Sequence, residues 1–226
     1  MTTMFDYTEF IQLAHKGRIT YEKLTLPKGV VIANTPEFPS DCVYLIIEGF
    51  VTCSFLHNPS RVYTICGKGN FLNYYALLET DKHTFKFQMV STCVIYKFVA
   101  KDVEYLLSMF PENYGFQFFI MKDLAKHAYY KSIAVDKAGP EKVRLTMQYL
   151  GQLHGIPAEP GVVVIPKAIP QHAILSYCGV SKGTFYKQTA ILQQKGLLRK
   201  KENQWILYDQ ALYDYCCERT ERLTSF

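Results

Sequence analysis

The sequence predicts an α+β chain with an N-terminal β-roll, a long helix and a C-terminal winged helix-turn-helix. Three observations carry this. Between Arg18 and Phe98, short β-rich runs alternate with turn residues at near-regular spacing, the texture of an all-β roll or barrel. From Glu112 to Val135 the helical pattern is long and unbroken. From Ile169 to Lys201, two short helical patterns flank Gly179 and lead into a basic hairpin.

Taken in order, residues 5–15 have helical periodicity, and Lys16-Gly17 ends it. The β-rich runs are 23–26, 30–32, 42–47, 50–56, 62–66, 84–90 and 94–98. Pro27-Lys28-Gly29, residues 36–39, Glu48-Gly49, Asn58-Pro59 and residues 67–69 break them. Residues 99–110 are helical, and Pro111 can open the next helix. In that helix Tyr114, Phe118, Met121, Ala125, Ala128, Ser132 and Val135 alternate four and three apart, the a/d spacing of a two-helix seam. Ala138-Gly139-Pro140 reads as a hinge, followed by a helix over 141–154 and a strand over 161–166. The predicted organisation is a roll with flanking helices over 1–110, a long dimerisation helix and hinge over 111–137, and the winged domain over 138–226.

In the winged domain, Pro170 opens a first helix containing Ala173, Ile174 and Cys178, and Gly179 supplies a turn at positive φ. Ser181 can cap a second helix with Phe185, Ala190, Ile191 and Leu192 inward and Lys182, Tyr186 and Lys187 outward. Residues 197–199 and 204–208 pair around 200–203 as the wing, and a helix over 210–222 closes the chain. Between Gln171 and Tyr208, six Lys/Arg (Lys182, Lys187, Lys195, Arg199, Lys200, Lys201) face one acid, Glu202. Residues 1–139 carry fourteen against thirteen. The chain's net charge of +5 is therefore concentrated on the segment with docking geometry, the footprint of phosphate binding. These features together point to double-stranded DNA. A dimer would set two reading helices on successive major grooves, about 34–36 Å apart, on a near-palindromic operator.

Composition excludes other classes. At 226 residues with 49% hydrophobic and 15% aromatic content, the chain suits two folded domains. No apolar run approaches the roughly 18 residues of a membrane span, and MTTMFDYTEF lacks the basic start and apolar core of a signal peptide. A cytoplasmic protein with reduced thiols and no membrane partner is expected. The seven cysteines form no CxxC, and Cys216-Cys217 has no nearby ligand set, so no metal is expected. No catalytic constellation stands out, so the chain is not expected to be an enzyme. A module whose winged domain binds protein rather than DNA is the alternative.

The order of elements, with three motifs, resembles the Crp/Fnr superfamily of bacterial transcription regulators. The motifs are Val43-Tyr-Leu-Ile-Ile-Glu-Gly-Phe-Val51, Gly69-Asn-Phe71 with Ala76-Leu77-Leu78, and Gly179-Val-Ser-Lys-Gly-Thr184. The resemblance implies a cyclic-nucleotide-binding-like jelly roll, a homodimer, DNA binding, contact with RNA polymerase and an effector-driven change. It places base contacts on Ser181, Lys182, Gly183 and Lys187, with Thr184 and Tyr186 supporting and Arg199, Lys200 and Lys201 on the wing.

Departures from the family pattern narrow the reading. Where nucleotide-binding members have a Gly-Glu pair and an Arg-Ser/Thr pair, this chain has Asn73-Tyr74 and a stretch over 81–85 without Arg. A bound cyclic nucleotide would leave its charge unpaired. The first cysteine is Cys42, too late for the iron–sulfur branch, and His57 and His83 sit in expected loops rather than at a haem. The chain is most similar in character to the PrfA-like group without cyclic-nucleotide binding. That similarity implies no resident cofactor and a small thiol- or peptide-like effector near Cys66, Lys68, Phe71, Lys126, His127 and Tyr130. A redox response through Cys66, two residues before Lys68, or through Cys178 is the alternative. In the reading head, Gly183 stands where many members have an acid and Lys187 where many have Arg, while Leu175 and Gln188 depart at packing positions.

Overall fold

A computed structural model describes residues 7–33, 35–77, 85–109 and 114–224. It divides into two compact units, Met1–His127 and Ala128–Phe226.

The first unit is a roll. Its elements are α1 (Tyr7–His15), β1 (Glu22–Leu26), β2 (Val31–Ile32), β3 (Cys42–Glu48), β4 (Val51–Phe55), β5 (Asn58–Cys66), β6 (Phe71–Leu72), a 3₁₀ turn (Tyr74–Leu77), β7 (Phe85–Met89), β8 (Cys93–Val99) and α2 (Ala100–Met109). They form two four-stranded antiparallel sheets, ordered β1-β8-β3-β6 and β2-β7-β4-β5. Strand β3 shows how two cores arise from one run. Tyr44 and Ile46 enter the core with Val51, Cys53, Phe87 and Met89 of the other sheet. Val43 and Leu45 point the other way, onto Phe10 of α1 and Val103 and Leu106 of α2. A strand covered on both faces reads as continuous apolar sequence rather than as alternation. Phe10 seals the second core edge-on, 5.4 Å from the Phe71 ring and 5.0 Å from that of Phe98.

Two expectations in this unit need correction. Asn58-Pro59 does not break the chain but begins β5, and the turn falls at Leu56-His57. Pro59 is tolerated because β5 is an edge strand and its pairing with β4 shifts register there. Strand β6 falls outside the expected runs; its two residues pair with Leu45 and Tyr44 of β3.

Helix α3 (Tyr114–Val135) follows, and the division between the units falls inside it. Its last turns pack with the second unit: the Tyr130 ring stacks on Tyr149 at 4.1 Å and 8°, and Ala134 is buried. The second unit continues with α4 (Gly139–His154), β9 (Ile156–Glu159), β10 (Val162–Val164), α5 (Gln171–Cys178), α6 (Lys182–Gln194), β11 (Leu198–Lys201), β12 (Gln204–Tyr208) and α7 (Gln210–Thr224). One antiparallel sheet runs β11-β12-β10-β9. Helix α4 starts at Gly139 rather than at Glu141, so Gly139-Pro140 belongs to its first turn. Proline suits that position, since its fixed φ is helical and its missing N–H has no partner to lose. Strand β9 lies on the sheet edge and escapes the sequence pattern, since Pro157 disguises it. Among the described residues, no helix is long and apolar enough to cross a membrane.

Candidate nucleic-acid interface

The α5–α6 segment is assembled by local chemistry. Pro170 caps α5 in an extended conformation, its carbonyl accepting from Ala173 and Ile174 N–H at 2.9 and 3.3 Å. It therefore stands one position before the helix, not at its first residue. Gly179 closes the helix at φ 68°, ψ 32° and donates to the Leu175 carbonyl at 3.1 Å, the left-handed stop that glycine makes without strain. Ser181 then caps α6, its Oγ accepting from Thr184 N–H at 3.1 Å. Phe185, fully buried, fixes the rotation of α6 by meeting Trp205 of the wing edge-on at 6.2 Å and 84°.

That rotation turns Lys182, Gly183, Tyr186 and Lys187 to solvent, with Tyr186 46% exposed. The Lys182 ammonium lies 6.0 Å from the Tyr186 ring centre, a weak pairing at this exposure. Thr184 is half-buried, its hydroxyl 2.9 Å from Ser181 Oγ, so it positions the first turn rather than presenting to solvent. Ala190 corrects the expected inward face: it is exposed, and Thr189 is buried in its place. The Thr189 hydroxyl can enter the core because it donates to the Tyr186 carbonyl at 3.1 Å. Leu175 and Gln188 are both half-buried.

The wing turns at Glu202 (φ 49°) and Asn203 (φ 65°), two positive φ values as a tight hairpin requires. Lys200 and Lys201 therefore belong to β11 rather than to the turn. Strand alternation separates the basic residues. Arg199 and Lys201 are exposed, whereas Lys200 is half-buried, donating to Gln171 Oε1 on α5 with its ammonium 5.3 Å from the Trp205 ring centre. Lys200 braces the wing against α5.

A second brace has no signature in residue spacing. The Lys131 ammonium, on the last turns of α3, donates to the Tyr177 carbonyl and sits 3.7 Å from the Tyr177 ring centre. A cation at the C-terminal end of α5 satisfies a carbonyl the helix cannot pair itself. Lys131→Met keeps the stem and removes the charge. It is expected to destabilise the second unit by about 1–2 kcal/mol in urea unfolding followed by Trp205 emission. Lys131→Arg should recover most of that loss.

The seam positions Met121, Ala125, Ala128, Ser132 and Val135 are all exposed, Met121 at 51% and Val135 at 58%. The side chains of Tyr114 and Phe118 lie outside the described residues.

The effector candidates do not share one core. Cys66 is buried between the sheets, Phe71 packs on Phe10 in the other core, and Lys68 is exposed. Lys126 is half-buried; the buried His127 ring nitrogen Nδ1 is 2.6 Å from the Thr64 hydroxyl; Tyr130 stacks on Tyr149 in the second unit. The Asn73-Tyr74 pair serves the fold. Asn73, at φ 57°, donates from its amide to the Ser40 and Cys42 carbonyls at 3.0 and 2.7 Å, and Tyr74 is buried in the helix-side core. Residues 81–84 lie outside the described residues, and Phe85 packs on Phe55 at 4.8 Å. The shallow cleft beside Asn73, between Ile32, Phe38 and Phe87, has no ionisable side chain among its described lining residues. Cys66 and Cys178 are both buried, and burial pushes the Cys178 thiol up, opposed more weakly by a Thr146 hydrogen bond and Lys131. A redox thiol needs exposure and a lowered pKa, so the geometry does not favour that route.

No family model and no curated protein matches the chain. Solved structures do. A cyclic nucleotide-binding domain containing protein from Listeria monocytogenes EGD-e is similar at TM-score 0.69 and 19% identity, covering 91% of this chain and 94% of that one. FixK2 from Bradyrhizobium japonicum is similar at TM-score 0.69 and 15% identity, covering 87% and 98%. A CRP/FNR-family transcriptional regulator from Thermus thermophilus is similar at TM-score 0.61 and 16% identity, covering 86% and 98%. At these identities the likeness establishes the fold over nearly the whole length of each chain.

Proposed function

We propose that this chain is a sequence-specific DNA-binding transcription regulator of the Crp/Fnr type. It acts as a homodimer, without enzymatic activity, on a near-palindromic operator. The observation that carries the reading is the exposed face of α6: Lys182, Gly183, Tyr186 and Lys187 are turned outward by a helix whose other side is fixed in the core by Phe185 and Thr189. Arg199 and Lys201 add charge from the solvent face of the wing. A helix so presented fits the major groove, its first turns at the base edges. The likeness to the solved CRP/FNR-family transcriptional regulator supports the same reading.

The homodimer is proposed through α3, whose described seam positions stand exposed on a single chain. Contact with RNA polymerase and a cytoplasmic location belong to the same reading. The sensor is proposed to be PrfA-like. With Asn73 and Tyr74 committed to the roll, a cyclic nucleotide has no acid there for its ribose, and the proposed ligand is a small thiol- or peptide-like molecule. No metal or cofactor is proposed.

The test is equilibrium binding to a duplex selected by the protein from a random library, with a scrambled duplex beside it and salt titrated for both. Lys187→Ala is expected to weaken the selected duplex about tenfold or more and the scrambled one less than threefold. Equal loss on both would remove Lys187 from base reading. Sedimentation of the free protein checks the dimer, and substituting Ala128 with Glu should shift it to monomer.

A further inference from the structure

Seven glycines lie in the second unit, and six are explained by the chain itself. Gly161, Gly179 and Gly196 have φ of 75°, 68° and 70°, which side chains resist. At Gly139 a Cβ would stand 2.9 Å from the Thr184 methyl, at Gly151 2.7 Å from Leu212 Cδ2, and at Gly155 2.4 Å from the Gly151 carbonyl oxygen. Gly183 has neither reason. Its φ is not positive, and a Cβ built there meets no atom within 4 Å. It is the second residue of α6, where glycine makes a helix less stable than alanine would. Among the described residues, nothing uses the missing side chain.

Gly183 is also on the outward face, with Lys182 before it and Tyr186 and Lys187 one turn on. We infer that Gly183 is a specificity-determining residue through which α6 comes into direct backbone contact with the floor of the DNA groove, so close that even a methyl group is excluded. This rests on the DNA-binding reading and deepens it. A side chain at this position would hold the first turn of α6 away from the base edges and loosen the contacts of Lys182 and Lys187 with it. Phosphate attraction acts over longer distance and would be little changed.

One substitution should have effects of opposite sign on stability and on recognition. Gly183→Ala in the full chain should raise the thermal midpoint of the second unit by up to about 4 °C, because the helix gains and nothing clashes. The same variant should bind the wild-type-selected duplex at least about tenfold more weakly, and a scrambled duplex within about twofold of wild type. A variant that binds the selected duplex as well as wild type, or better through a methyl contact to thymine, overturns the inference while leaving DNA binding intact. A wild-type protein that enriches no sequence from the library overturns the DNA reading and this inference together. Gly183→Ser serves as the second variant, with the same expected loss on the selected duplex.

Discussion

Phe185→Ala is expected to remove about 3–5 kcal/mol from the second unit, a large share of what holds a small domain folded. Phe185 has no exposed surface, and its ring meets Trp205 edge-on. Truncation would leave a void where α6 and the wing converge, bounded by a sheet that cannot collapse freely onto it. The protein carries its own reporter, because Trp205 is its one tryptophan and lies in this core. A urea titration read by Trp205 emission should show the midpoint falling sharply with the slope unchanged. DNA affinity measured well below the new midpoint should fall as well, because α6 loses the side chain that sets its rotation. A midpoint shift worth less than about 1 kcal/mol would mean that Phe185 is not the pivot described above.

The parts of the interface that are legible in the sequence are those governed by short-range rules. Gly179 as a left-handed stop and Ser181 as a cap each depend on a few neighbouring residues, and both stand as read. The inward face of α6 is legible only in part. Apolarity assigns Phe185 correctly but gives the next buried position to Ala190, when the helical step of four falls on Thr189. Polarity misleads there because a threonine hydroxyl can bond back within its own helix. Sequence alone groups Lys200 with the exposed charges, and only the pairing of β11 with β12 reveals that strand alternation turns it toward Gln171. Lys131 cannot be found from spacing, because its partner Tyr177 is 46 residues away. Gly183 reads in the sequence as a missing acid. Its second meaning, open space where a Cβ would stand, needs coordinates.

Gly49→Ala is expected to cost the first unit about 3 kcal/mol or more, and to leave Trp205 untouched. Gly49 joins β3 to β4 at φ 95°, where any side chain adds strain. Its surroundings add a second penalty. A Cβ there would lie 2.4 Å from the Thr92 carbonyl oxygen, 2.7 Å from Cys93 Sγ and 2.9 Å from Cys93 Cα. Two of these three atoms are backbone, so relief would require β8 to move, and β8 pairs with both β1 and β3. The damage should therefore spread through one sheet of the roll. Hydrogen exchange followed by mass spectrometry should show faster exchange across β1, β3 and β8. The urea midpoint of Trp205 emission should stay within error of wild type, since that ring reports on the other unit. Were Trp205 to unfold earlier in Gly49→Ala, the two compact units would be one cooperative structure. Were the roll to exchange as slowly as wild type, the contact at Gly49 could not be as close as its geometry requires. The first outcome would join the stability of the first unit to that of the second, and under the proposed function a ligand acting on the roll would then change DNA binding through stability alone.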